Sequence, residues 1–68
     1  MNDPIRARLA ARIEELRDEH RDLDRMIGTL LAEAPVDELR VRRLKKRKLL
    51  LKDQITSLLR ELDPDVPA

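Results

Sequence analysis

The chain has no Cys, no Phe, Trp or Tyr, one Gly and one His in 68 residues. Without cysteine there is no disulfide, no thiol nucleophile and no thiolate metal site. Without aromatic rings there is no platform on which unpaired bases stack. A single glycine rules out a glycine-rich phosphate loop. An excess of one charge is also missing: 15 basic residues stand against 14 acidic ones, a net +1. Long-range attraction to nucleic acid or to a membrane surface is therefore weak. No apolar run exceeds three residues, as in Leu49-Leu50-Leu51. That is far short of the ~18 that a membrane span needs, and Met1–Ala11 holds no apolar run of signal-peptide length. The expectation is a soluble, cytoplasmic protein without membrane contact and without a cofactor. What is present is Leu, Arg, Glu and Asp in a single small domain, 43% charged and 41% apolar.

Prolines at positions 4, 35, 64 and 67 punctuate the chain and leave two long segments uninterrupted. Asp3-Pro4 reads as a helix start, with Asp3 as cap and Pro4 in the first turn. Ala34-Pro35 breaks the helical pattern, because proline pushes the preceding residue out of helical geometry. Asp37 is a second cap, with Glu38 at the positive end of the next helix. The reading is helix 1 over 4–32, a turn over 33–36, helix 2 over 37–62 and a frayed tail over 63–68, all within a single domain.

Both segments carry heptads. Leu9, Leu16, Leu23 and Leu30 fall at position d of helix 1, with Ile13, His20 and Ile27 at a. In helix 2, Leu44, Leu51 and Leu58 take d, and Val41, Lys48, Ile55 and Leu62 take a. Such stripes predict coiled-coil packing. Across an antiparallel hairpin, a faces d. Pairing Leu30–Val41, Ile27–Leu44, Leu23–Lys48, His20–Leu51, Leu16–Ile55, Ile13–Leu58 and Leu9–Leu62 holds the residue-number sum at 71. Its midpoint falls on Pro35-Val36, where the turn was placed on separate grounds. The fold class is all-α, an antiparallel helical hairpin. In this register Arg12 comes near Glu61, Glu19 near Gln54, Glu33 near Arg40 and Asp24 near Lys45, with Arg17 and Lys52 as a like-charged exception.

Eight large apolar residues lie outside the seam: Ile5, Met26, Leu31, Val36, Leu39, Leu49, Leu50 and Leu59. Two helices bury their shared seam only in part, and ordering a chain costs on the order of 1.5 kcal/mol per residue before backbone bonds offset it. A homo-oligomer is expected, a dimer of hairpins forming a four-helix bundle, or else a helical protein partner.

His20 and Lys48 interrupt the seam in adjacent layers. The favoured reading is that they fix the register, since a polar a residue penalises wrong alignments. The competing reading joins His20 to Asp24 in a metal or acid–base site, for which no third ligand is evident. Arg40 to Lys48 holds seven basic residues in nine. Arg40, Arg42, Arg43, Lys45, Lys46 and Arg47 are candidates for contact with phosphates, nucleic acid or an acidic partner. Alternatively they form a solvated face partly neutralised by acids on helix 1. Hydroxyl nucleophiles are confined to Thr29, Thr56 and Ser57, none placed opposite His20. No catalytic, metal or cofactor residues are assigned, and an enzyme is not expected.

Glu19-His20-Arg21-Asp22-Leu23-Asp24 on helix 1 and Leu44-Lys45-Lys46-Arg47-Lys48-Leu49-Leu50-Leu51-Lys52-Asp53-Gln54-Ile55 on helix 2 flank a proline-containing turn. Together they resemble the small bacterial YdcH-like family, a domain family of unknown function, over roughly residues 14 to 62. Members often carry a second His where this chain has Arg21, and an acid where it has Gln54. The resemblance implies a short, cytoplasmic, bacterial helical hairpin and brings no catalytic residues. The expected role is a non-enzymatic interaction or self-assembly module. The alternative is a nucleic-acid-binding accessory protein that uses segment 40–48, with weak, nonspecific binding.

Overall fold

A computed structural model describes residues 3–64. From residue 65 onward, the tail expected over 63–68 lies outside the described residues. Helix α1 spans Pro4–Ala32 and helix α2 spans Glu38–Leu62. The carboxylate of Asp3 accepts from the backbone N–H of Ile5 at 3.0 Å and Arg6 at 3.3 Å, with Pro4 in the first turn. These bonds satisfy N–H groups that have no partner inside the helix. The Asp37 side chain accepts from the Arg40 N–H at 3.1 Å, so Asp37 caps α2 and the helix itself begins at Glu38. At the far end, the Asp63 N–H donates to the Leu59 carbonyl at 2.9 Å.

The helices run antiparallel. At the open end the Arg6 guanidinium donates to the Leu62 carbonyl at 2.7 Å, joining the first turn of α1 to the last turn of α2. In the middle, Leu16, Leu23 and Leu51 form one buried cluster, with Leu44, Ile55 and Leu58 packed on it. Nearer the turn, Ile27, Leu30 and Val41 form another, and Leu44 touches both. The result is a rod of 54 × 22 × 14 Å, two helices wide and one helix thick.

Among the described residues, those not fully exposed are the fourteen of the two heptad stripes. Seven of them are buried, all aliphatic, with Leu16 deepest at 1% exposure. A two-helix seam is a double row with no layer above or below it. Position a or d therefore shields a side chain, and every other heptad position leaves it in solvent.

Candidate interaction surface

At the polar break in the seam, Lys48 and His20 are half-buried. The lysine stem leaves the seam and brings its ammonium to Oδ1 of Asp24. Nδ1 of His20 lies 3.9 Å from Oδ2 of the same carboxylate, too far for a hydrogen bond but close enough for charge attraction when the imidazole is protonated. Asp24 thus sits between the Lys48 ammonium of α2 and the His20 imidazole of its own helix. Its pKa is held below the ordinary carboxylate value, chiefly by the hydrogen bond from Lys48. Partial desolvation opposes this, and the charges of Lys48 and His20 reinforce it. Among the described residues no three His, Cys, Asp or Glu side chains converge as metal ligands.

The interhelical charge contacts expected on the flanks are replaced by others. Arg12 turns to Glu15 on its own helix at 3.0 Å instead of Glu61, and Arg17 pairs with Glu14 at 3.3 Å. Arg21 pairs with Asp18. Residues three apart on a helix share a face, so these pairs form without bridging the gap between helices. Asp24 closes on Lys48, one residue-turn from the expected Lys45. Glu33 and Arg40, Glu19 and Gln54 make no side-chain bond to each other. Among the described residues Asp24–Lys48 is the one ion pair that joins the two helices.

Arg40, Arg42, Arg43, Lys45, Lys46 and Arg47 are all exposed, and none enters an ion pair among the described residues. They cover the first half of α2 but not a single face: Arg40 and Arg47 take position g, Arg42 takes b, Arg43 c, Lys45 e and Lys46 f. The hydroxyls of Thr29 and Thr56 donate back to carbonyls of their own helices, Arg25 at 3.1 Å and Lys52 at 3.0 Å. They are thus occupied with the backbone.

Beside the seam, the rod has two flanks with shallow grooves. One groove system is bordered by Met26 and Leu50, with Leu16, Leu23, Leu44 and Leu58 at its floor. The other is bordered by Leu31, Val36 and Leu49, near the half-buried His20 and Lys48. The eight apolar residues outside the seam are all exposed, from 38% at Leu59 to 70% at Ile5. Sequence neighbours Leu49 and Leu50 lie on opposite flanks, since positions b and c fall on either side of a helix. The flanks differ in charge. The Leu49 grooves are lined by Arg17, Arg21, Arg42, Lys45, Lys48 and Lys52 against a single acid, Glu38. The Leu50 grooves are lined by Glu19, Asp22 and Asp53 against Arg12 and Arg47. Sequence reasoning found the apolar surplus but not this division. The signal was available in the heptad letters e and b against g and c.

No helix among the described residues is long and apolar enough to cross a membrane. A family model described as a protein of unknown function, DUF465, matches residues 13–59, and this is the family called YdcH-like above. No curated protein and no solved structure gives a significant match.

Proposed function

We propose, for a chain that belongs to the DUF465 family of unknown function, a role as a non-enzymatic helical-hairpin module that associates with a second copy or another helical protein in the cytoplasm. One observation carries this reading. The seam takes up the fourteen residues of the two stripes, and eight large apolar residues remain at 38% to 70% exposure on a rod only 14 Å thick. Apolar surface left in water favours association, by ~25 cal/mol for each Å² that a partner covers. Open grooves and exposed carboxylates offer no enclosed place for general acid–base work.

Sedimentation at micromolar concentration tests self-association. A dimer or larger species is expected, and a well-folded 8.0 kDa monomer would defeat it. Capture of partners with and without nuclease separates protein partners from nucleic acid.

A second reading is supported by the unpaired basic residues at the start of α2. If Arg40, Arg42, Arg43, Lys45 and Lys46 contact phosphates, affinity for duplex DNA falls with salt at a log–log slope of roughly −4 to −5. Weak, nonspecific binding is expected at about 0.15 M salt, because net charge is only +1. Submicromolar binding that collapses when Arg42, Arg43 and Lys46 become Glu would place this reading first.

A further inference from the structure

We infer that the hairpin pairs with a second copy of itself through the Met26–Leu50 flank, the two turns side by side at the same end of the dimer. The inference rests on the self-association reading and adds the face, the partner and the orientation.

Apolar residues alone do not choose a flank, because both carry them. Charge does. Two copies meeting through the Leu49 flank would bring together grooves that each hold six basic side chains and one acid. Three of these bases are neutralised by neighbouring acids, Arg17 by Glu14, Arg21 by Asp18 and Lys48 by Asp24. That leaves Arg42, Lys45 and Lys52 against Glu38, on a flank with bases on both helices. The opposing surfaces would repel. The Leu50 flank carries a comparable excess of acids, since Glu15 takes Arg12 and leaves Glu19, Asp22 and Asp53 against Arg47. Most of its charges are sorted by helix, however, which those of the Leu49 flank are not. Glu19, Asp22 and Glu33 lie on α1, with Arg47 and Arg40 at or near the same levels on α2. Toward the open end the signs exchange, with Arg12 on α1 and Glu61 on α2. At the levels of Asp22, Glu33 and Arg12 the other helix carries the opposite sign at or near the same level, while at the level of Glu19 it carries Asp53, an acid on the same flank.

This sorting selects an orientation. A two-fold axis along the rod sets α1 of one copy on α2 of the other without changing level. Asp22 then comes within reach of Arg47 of the second copy, Glu33 faces its Arg40 and Arg12 faces its Glu61, while Glu19 meets the level of its Gln54. Met26 and Leu50, 43% and 56% exposed in the single hairpin, come to the centre of this interface. An axis across the rod would instead stack α1 on α1. It would set Glu15, Glu19 and Asp22, near the middle of that helix, against their own copies. Charges beside an apolar strip fix partner and orientation in this way in helical bundles. The absence of ion pairs for Glu19, Asp22, Glu33, Arg40 and Arg47 within the described hairpin leaves these groups available.

The test compares two neighbouring residues. Leu50→Asp should dissociate the full-length dimer in sedimentation, weakening it at least tenfold, while Leu49→Asp leaves it intact. Asp22→Arg and Arg47→Asp should each weaken the dimer alone. Mixed in equal amounts, they should recover it as a heterodimer, because each then meets an opposite charge across the interface. Repulsion within one chain is not relieved by mixing, so recovery cannot come from folding. The chain lacks cysteine, so Ala34→Cys accepts a single spin label. Two labels within about 20–30 Å, two to three helix diameters, support turns side by side, whereas a separation near the 54 Å rod length overturns that orientation. A dimer that survives Leu50→Asp and is lost with Leu49→Asp, or a mixture that fails to recover, overturns the inference and leaves self-association standing. A monomeric unsubstituted chain removes both.

Discussion

Lys48 of α2 reaches Asp24 of α1 across the seam, and among the described residues no other ion pair ties the two helices together. The lysine occupies a seam position without placing its charge in the core, since it is only half-buried and its ammonium reaches Asp24. This arrangement costs stability relative to an aliphatic layer, because a polar group at position a trades energy for register. Lys48→Leu is therefore expected to raise hairpin stability by on the order of 1 kcal/mol. Urea unfolding reads it as a higher midpoint at unchanged slope, and a lower midpoint would show that the ion pair outweighs the packing it displaces.

The same contact sets a pH dependence. Folding lowers the Asp24 pKa, first through the Lys48 hydrogen bond, so the unfolded chain takes up this proton at a higher pH than the folded one. The contribution is fully present above the unfolded value, about 3.9, and is lost as pH falls through the lower folded value. Asp24→Asn should be less stable than the parent at pH 7, the difference closing as the solution is acidified below about pH 4. A difference that stays constant with pH would sink this assignment.

Burial separates the leucines of the seam from those outside it. Leu16 is 1% exposed and Leu39 is 55% exposed. Leu16→Ala should cost about 2–5 kcal/mol, enough to unfold much of so small a protein, whereas Leu39→Ala should change stability by no more than about 0.5 kcal/mol. Thermal melts followed by circular dichroism check both. Equal losses would mean that Leu39 is covered by a partner in solution.

Gly28 stands inside α1 with ordinary helical backbone, and a Cβ added there would meet nothing within 4 Å. No steric reason for glycine exists in the hairpin. Gly28→Ala should stabilise by about 0.5–1 kcal/mol, mostly by restricting the unfolded chain. A melting temperature several degrees higher is the expected reading. A fall would point to a surface that approaches α1 closely at this position.

The two-helix fold was readable in the sequence because several local signals agreed. Asp3-Pro4 and Asp37 mark starts, Pro35 marks the turn, and the spacing of Leu and Ile places both stripes at one register. The side chains that escape exposure follow from that register alone, since a thin rod shields a and d and nothing else. The charge contacts were not readable in the same way. Arg12 had Glu15 within reach on its own helix and Glu61 only across a gap, and Asp24 had Lys45 and Lys48 at similar levels. Long flexible side chains choose among neighbours by differences below about 1 kcal/mol, which heptad position does not resolve. The contrast between the flanks was readable but is visible only once the rod has two sides.

A slab 14 Å thick has no depth in the usual sense. Every peptide N–H in a lone hairpin is at most one side chain from bulk water, so none is slowed in deuterium exchange by distance from the surface. Protection must come from the cooperativity of helix opening, highest around Leu16 and Leu51 and falling toward both ends. A strip of amides along one flank that exchanged more slowly than its opposite would outline the footprint of whatever lies against it.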